Sequence, residues 1–351
     1  MNESSPMITV LMPVFNGEKF LQKAIQSILD QTFTDFEFII INDGSDDSTL
    51  EIINLFHDPR IRVCSNEFSL GLVKSLNIGI KLARGRYIAR MDCDDISLPT
   101  RLITQFRFLS IHPEISVCGS WIKTIGAGVG EIRKYPLTSE DIQCELLFRS
   151  PLAHPSVMFN REKLQDNLIY DERYEKAEDY ELWVRLSQSF NLANINQVLL
   201  LYRCHNHQVS KTSTETQKAL SNILRQAQIQ KIGLQFTSDE INIHQRLSNG
   251  EIIGQSEFCF QGKIWLEKLY EFNQNNNIFS SHSFSKLLST QLYILCSTFP
   301  IGFYSWRIFW CSPLANYSTL NVLTVIKFFI KCLISRVLQC NRCFSEKSNH
   351  Y

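Results

Sequence analysis

The sequence predicts an α/β fold, a mainly parallel sheet with helices on both faces, followed by a helical C-terminal region. Two observations predict the sheet. Short apolar runs alternate with runs of helical spacing from residue 8 to residue 91, and the apolar runs lead into polar, turn-forming segments. A third, the purely helical patterning after about residue 210, predicts the C-terminal region. Strand–helix alternation of this kind builds a parallel sheet covered on both sides. Ligands of such sheets bind beyond the carboxyl ends of the strands.

The elements follow in order. Ile8-Thr9-Val10-Leu11-Met12 is an apolar strand ended by Pro13, with the turn at Asn16-Gly17. Leu21, Ala24, Ile25, Ile28 and Leu29 share a helical face from about Glu18 to Asp30. Phe36 to Ile41 is a buried strand that runs into Asn42-Asp43-Gly44-Ser45-Asp46-Asp47. Ser48-Thr49-Leu50-Glu51 has the form of a capping box, which starts a second helix. Ile61 to Cys64 is a third strand, Leu72 to Ala83 a third helix, and Arg86 to Met91 a fourth strand.

Beyond Pro99, a helix is expected over Arg101–Ile111 and a short strand over Ile115–Cys118. Gly126 to Gly130 reads as a hairpin or loop, because it lacks the strand–glycine–helix context of a phosphate loop. A short helix is expected over Asp141–Phe148, and His154–Phe159 leads into another strand, with His154 extended because it precedes Pro155. A helix opens on Ala177-Glu178-Asp179, and a last strand covers Val198–Tyr202, followed by Arg203, His205 and His207.

Composition narrows the function classes. The 351 residues suffice for one large domain or two, and 44% are hydrophobic. Thirty-five basic residues balance thirty-five acidic ones, so no global field attracts nucleic acid, and none is expected as a partner. Met1-Asn2-Glu3-Ser4-Ser5-Pro6 has no basic segment and no long apolar run, so no secretory signal and a cytoplasmic location are expected. Eleven scattered cysteines, mostly in apolar runs, read as reduced thiols. Cys340-Asn341-Arg342-Cys343 is a lone C-x-x-C without a second pair at zinc spacing, and it reads as part of a tail.

The chemistry concentrates at Asp92-Cys93-Asp94-Asp95, at the end of the fourth strand. Carboxylates one residue apart on extended chain point the same way. Such a pair can hold a hard divalent cation, and the cation a diphosphate. A lone pair of this kind is usually a solvated turn. Asp43-Gly44-Ser45-Asp46-Asp47 taken alone is an ordinary Asp-Gly turn and helix cap. Acidic residues at two strand ends repel bare phosphate. They make sense if one set grips a base and ribose and the other grips a metal.

Taken together, Met12-Pro13-Val14-Phe15-Asn16-Gly17, Asn42-Asp43-Gly44-Ser45-Asp46-Asp47-Ser48-Thr49, Ala89-Arg90-Met91-Asp92-Cys93-Asp94-Asp95, His154-Pro155-Ser156 and Ala177-Glu178-Asp179-Tyr180 resemble, in order, the motifs of family 2 glycosyltransferases. The resemblance covers about residues 7 to 210. It implies a GT-A-type fold, a nucleotide-diphospho-sugar donor, inversion at the transferred carbon, and a glycan, lipid-linked or polysaccharide acceptor. The Q-x-x-R-W motif and membrane spans of processive members are absent, so the likeness is to non-processive enzymes.

Sugar transfer needs a neutralised leaving diphosphate, a base for the acceptor hydroxyl, and alignment of both. Asp94 is expected to ligate Mg²⁺ or Mn²⁺ directly. The resemblance puts Asp92 near the ribose, Asp43 on the base, and Pro13, Val14 and Asn16 along the nucleoside. Asp95 orders the loop or the waters around the metal, and Asp46 and Asp47 cap the following helix rather than touch the ligand. Asp179 matches the family's base position, while Glu178 points elsewhere on the helix. Taken alone, that acidic pair would be helix N-terminal charge. Arg203 and His205 reach the diphosphate or the metal, or else lie in a solvated loop. His154 either contacts a ligand or is structural, and Arg101 pairs with an Asp of the metal loop. Two other readings stay open. A nucleotidyltransferase would want a glycine-rich, basic first loop. A non-catalytic nucleotide-sugar or carbohydrate-binding module would be supported by loss of Asp94 or Asp179, and both are present.

Residues 1–210 therefore read as the catalytic domain and 211–351 as a helical region. Helices are expected around Leu220–Gly233, Trp265–Tyr270 and Phe284–Cys296. Asn321 to Leu338 has the length of a membrane span but is interrupted by Lys327, Lys331 and Arg336. A central Lys costs about 2.5–3.5 kcal/mol on insertion. The expectation is an amphipathic helix lying on the cytoplasmic face of an anionic membrane with Trp306 and Trp310 as anchors, or packed on the catalytic domain.

Overall fold

The computed structural model describes residues 5–127, 130–205, 214–252, 256–298 and 300–347. His207 and the Gly128-Val129 part of the glycine-rich stretch lie outside the described residues, as do the side chains of Cys340 and Cys343. The chain divides into two compact units, Met1–Ile142 with Ser150–Ser221, and Gln143–Arg149 with Asn222–Tyr351. The sequence reading had set the division at 210/211.

The first unit is built on a nine-stranded sheet. Its opening half is β1 (Ile8–Val14), α1 (Leu21–Leu29), β2 (Phe36–Asn42), α2 (Thr49–Asn54), β3 (Ile61–Ser65), α3 (Leu72–Leu82) and β4 (Tyr87–Arg90). β1 and β2 are buried along their whole length, as strands covered on both faces must be. Val14 pairs with Asn42 and Leu11 with Arg90, so these strands end side by side. The order β3-β2-β1-β4 reverses direction between β1 and β4. That reversal opens the crevice in which an α/β sheet binds its ligand.

The rest of this unit comprises β5 (Ile96–Ser97), α4 (Arg101–Ile111), β6 (Ile115–Gly126), β7 (Ile132–Arg133), α5 (Ser139–Glu145, at whose end the chain enters the second unit), β8 (Met158–Asn160), α6 (Arg161–Leu164), α7 (Glu178–Leu186) and β9 (Asn191–Cys204). β8 runs antiparallel between β4 and β6, β5 pairs antiparallel with β9 and β7 with β6, while β6 and β9 are parallel, so this half of the sheet is mixed.

β6 and β9 are two to three times longer than the apolar runs that predict them. Inner polar groups of both strands find partners, although Asn194 Oδ1 stays unpaired among the described residues. Ser120 N–H donates to Ser156 Oγ (3.1 Å), and the Asn194 amide donates to the Pro136 and Pro151 carbonyls. A satisfied polar group does not end a strand, but it does end an apolar run.

Two local expectations change. Ser48 precedes α2 without a side-chain cap, and Asp47 accepts the Thr49 N–H instead (2.9 Å). His154 is not extended but opens a 3₁₀ turn, closed by Ser156 N–H and Oγ on the Ala153 carbonyl.

The second unit is helical: α8 (Thr214–Lys231), which spans the division at Ser221, then α9 (Ser238–Ser248), α10 (Ser256–Asn276), α11 (Ser281–Thr298), α12 (Phe303–Trp310) and α13 (Val322–Lys347). Its core includes Trp265, Leu266, Phe284, Leu288, Leu292, Phe309 and Phe328. The stretch 143–149 belongs here because side chains of this unit capture its carbonyls. Gln228 takes that of Leu146, His244 that of Leu147 and Arg225 that of Phe148. A complete capping box does occur, at Thr237 and Glu240 at the start of α9. The cysteines whose side chains are described are all free. No described helix is long and apolar enough to cross a membrane.

Candidate active site

The loops after β1, β2 and β4 meet because their strands are neighbours. Those after β1 and β2 are tied together by their own polar residues. Asn16, at a positive φ of 51°, accepts the Asp46 N–H through its side chain, and its own N–H donates to Ser45 Oγ. Asp47 accepts the Glu18 N–H, and Gly17 N–H donates to Thr49 Oγ1. Pro13 and Val14 are buried inside β1, so their side chains offer a nucleoside no open surface. Phe15, 52% exposed, is the open apolar group of that loop.

Asp43 is buried and holds the β3–α3 loop. It accepts from the Asn66 amide (2.7 Å), Ser69 Oγ (2.8 Å), Leu70 N–H (2.9 Å) and Gly71 N–H (2.9 Å). A carboxylate has about four acceptor positions, and all are occupied. A base contact at Asp43 therefore requires exchange of one of these donors. Gly44, at φ +68°, lies so close to Phe68 that a Cβ would stand 2.5 Å from its backbone, so glycine is required there.

Burial alone would raise the Asp43 carboxyl. The Leu70 N–H, Asn66 and Ser69 outweigh it and hold the carboxyl below its usual value. A lowered carboxyl stabilises the fold above its unfolded pKa, and that contribution is lost as pH falls through the folded value. Asp43→Ala is expected to cost about 1–3 kcal/mol, because it leaves several donors unpaired. Urea titration at neutral pH checks this, and an unchanged midpoint would contradict the clamp.

The acidic loop after β4 brings Asp92, Asp94 and Asp95 together, with one carboxylate oxygen from each lying within 4.8 Å of the others. Asp95 is buried. Its Oδ1 accepts the Arg203 N–H (2.8 Å), and its Oδ2 has no partner among the described residues. Burial first, and the neighbouring aspartates second, push Asp95 well above the usual range and raise Asp94 as well. Three hard oxygen donors that repel one another, one of them with an orphaned buried oxygen, fit a divalent cation.

The β5–β9 ladder, Ile96 with Leu201 and Ser97 with Leu200, delivers the end of β9 to this loop. Arg203 Nε donates to the Asp94 carbonyl (2.7 Å), and its guanidinium stacks on Phe20. His205 Nε2 lies 2.8 Å from Asp94 Oδ2. His205 is thus a partner of a carboxylate, outside the three-carboxylate group that could share one ion. Arg101 pairs with no acidic group there. Fully buried, it donates to the Arg90 and Val157 carbonyls, to Gln105 and to the Met91 sulfur.

Arg90 is the residue that the sequence reading missed. It is buried and donates to Asp92 Oδ2 (2.7 Å). Its positive charge also opposes the burial that raises the Glu178 and Asp179 carboxyls, and adds to the burial that lowers the His154 imidazole. Two residues apart on extended chain, Arg90 and Asp92 face the same way, and that spacing was the available signal.

Asp179 stands at the start of α7, partly buried, and accepts from Tyr180 N–H (2.7 Å) and Ser150 Oγ (3.2 Å). Burial raises its carboxyl. Glu178 is more deeply buried and accepts the Lys176 N–H (3.0 Å). His154 is enclosed by Tyr170 and Trp183, with Nε2 on the Tyr170 hydroxyl (2.7 Å) and Nδ1 3.9 Å from Glu178. Burial drives the His154 imidazole far below its ordinary pKa, so it stays neutral in a structural position. A cleft of about 660 Å³ elsewhere on this unit, lined by Asn77, Lys81, Arg161 and Asp166 among others, includes none of these residues.

Burial, then the Asp179 charge, raises Glu178 to about 7 from an ordinary 4.5. A raised carboxyl favours folding below its unfolded pKa, and the advantage is lost as pH rises through the folded value. Glu178→Gln should therefore stabilise the protein at pH ~8 by about 1–3 kcal/mol. It should also flatten the fall in stability between pH ~5 and ~7. Melting temperatures across that range check it, and an unchanged pH slope would contradict it.

The model of glycosyl transferase family 2 matches residues 9–168. A Haemophilus influenzae protein named as an uncharacterised glycosyltransferase is 30% identical over 84% of this chain and 90% of its own length. The chain belongs to glycosyltransferase family 2. The Escherichia coli O-antigen biosynthesis glycosyltransferase WbnJ is 34% identical over 62% of the chain and 88% of its own length. In fold, the chain is similar to residues 1–349 of S. aureus TarS, solved with UDP-GlcNAc. That match has a TM-score of 0.55 and 17% identity, over 86% of this chain and 89% of that one. Family membership makes the chain a glycosyltransferase with a GT-A-type fold and sets aside the nucleotidyltransferase and binding-module readings.

Proposed function

We propose that this glycosyltransferase is metal-dependent and inverting, and moves a sugar from a nucleotide-diphospho-sugar to a hydroxyl of a glycan, lipid-linked or polysaccharide acceptor in the cytoplasm. The observation that carries this reading is the convergence of Asp92, Asp94 and Asp95 at the switch point of the sheet, with one buried oxygen unpartnered. TarS, solved with UDP-GlcNAc, and WbnJ, named for O-antigen biosynthesis, support the donor and acceptor classes.

The three carboxylates would hold Mg²⁺ or Mn²⁺, which when bound offsets the charge of the leaving diphosphate. Arg203 and His205 keep the loop in place. Asn16 and the backbone edge of β1 lie along the nucleoside, with Asp43 fixing the loop beside it. Asp179 takes the proton of the acceptor hydroxyl as that oxygen bonds to the anomeric carbon and the bond from that carbon to the diphosphate breaks. Its raised carboxyl makes it a stronger base than a free aspartate. Arg90, between the acidic loop and α7 in charge terms, limits how far that rise goes.

The test is a panel of nucleotide sugars incubated with the protein, with and without Mn²⁺, following release of nucleoside diphosphate. Release from one donor, dependent on the metal, is expected. Equal release in the presence of a chelator would contradict metal dependence. No release from any donor by folded protein would contradict the donor class.

A further inference from the structure

We propose that the outer face of α13, with the adjoining face of α12, is a docking surface for an anionic lipid bilayer. On α13, Phe328 and Cys332 face inward and are fully buried. The opposite side should then be polar if it faced water. Instead it presents Val322, Leu323, Ile326, Phe329, Ile330, Leu333 and Ile334, with Ile326, Ile330 and Ile334 at 47%, 45% and 54% exposure. At ~100° per residue these seven side chains fill an arc of about 140°. A contiguous apolar face of this kind marks a contact surface.

The surface continues onto α12. Trp306 lies against Phe329 (5.1 Å between ring centroids) and Trp310 (5.5 Å), and Phe303 also touches Phe329. Tyr304 and Trp310 are exposed, with the exposed Arg307 on the same helix. Tryptophan and tyrosine beside a basic residue suit the headgroup level of a bilayer, where one end of a ring is wet and the other is not.

Charge identifies the occupant. The whole chain is neutral, yet no acidic residue occurs between Glu271 and Glu346. That stretch contains Lys286, Arg307, Lys327, Lys331, Arg336 and Arg342. Lys327 and Lys331 are exposed and border the apolar arc of α13 on one side, with Lys331 Nζ 3.4 Å from the Ser297 carbonyl. An apolar strip edged by lysines, on a helix too interrupted to cross, fits a surface that is apolar inside and negative outside. The inference rests on the second unit alone and not on the transfer chemistry.

The test is co-sedimentation of the full chain with vesicles of phosphatidylcholine, with and without phosphatidylglycerol, together with sedimentation velocity of the protein alone. Binding to the anionic vesicles that weakens with salt is expected. Ile326→Asp with Ile330→Asp should weaken it at least tenfold. Lys327→Glu with Lys331→Glu should remove most of its salt dependence. Circular dichroism and melting temperature show whether these surface variants fold, and donor hydrolysis in solution should not change. Three results would overturn the proposal: no binding to anionic vesicles, binding unaffected by either pair of substitutions, or vesicle-independent self-association lost in the aspartate variant. The last would make the face a contact between copies of this chain.

Discussion

Asp179→Asn is expected to lower sugar transfer by about 10²–10⁴-fold, the range set by removal of a general base, while donor binding stays near wild type. The two halves of this expectation have separate physical grounds. Asn keeps the shape of the side chain; its Oδ1 can still accept from Tyr180 N–H, and its amide nitrogen can donate to Ser150 Oγ, so α7 keeps its start. It cannot take a proton. Because burial raises the Asp179 carboxyl, wild-type transfer should fall as pH drops through that raised value. The acid limb should therefore lie above that of a free aspartate, and the variant should lose it. Steady-state kinetics across pH, with donor KM measured alongside kcat, check this. Wild-type turnover in the variant would remove Asp179 as the base.

Asp94→Ala is expected to abolish the response to Mn²⁺ and to lower transfer by about 10³-fold, since several kcal/mol of charge neutralisation would be lost. Stability should not fall in parallel. Burial and Asp92 both raise the Asp94 carboxyl, so the side chain sits in a repulsive cluster that its removal relieves. A metal-free melting temperature at or above wild type, combined with lost transfer, is the signature of a residue kept for function at the expense of stability. Transfer that still rises with Mn²⁺ in this variant would place the cation elsewhere.

The opening half of the fold was legible in the sequence because fully buried strands leave continuous apolar runs. Val10 to Met12 and Phe38 to Ile41 could be little else. The second half was less legible. β6 and β9 carry Ser120, Thr124 and Asn194 into the interior, where partners take up the Ser120 N–H, the Thr124 hydroxyl and the Asn194 amide N–H groups. A sequence shows the polar atom but not its partner. The same asymmetry holds at the candidate site. Asp92, Asp94 and Asp95 lie within four residues of chain, so their convergence is a local fact.

The long-range contacts were less legible. That Arg203 and His205 meet the Asp94 loop was expected only as one of two alternatives, because it depends on the β5–β9 pairing across more than a hundred residues. Arg90 was passed over as a strand residue, although its spacing from Asp92 was visible. Asp43 read as a turn residue or a base contact. Its part in holding Asn66 to Gly71 depends on a loop whose sequence has no motif of its own. The face of α13 could be read for its lysines and apolar residues, but which side packs inward required the burial of Phe328 and Cys332.

The central claim is that a cation held by the loop after β4 carries the diphosphate. Calorimetric titration of the wild-type protein and of Asp94→Ala with a nucleoside diphosphate, each in Mn²⁺ and in chelator, tests it most directly. Binding that requires Mn²⁺ in the wild type, and no Mn²⁺ effect in the variant, is the result predicted. Equal wild-type affinity with and without the metal would contradict it.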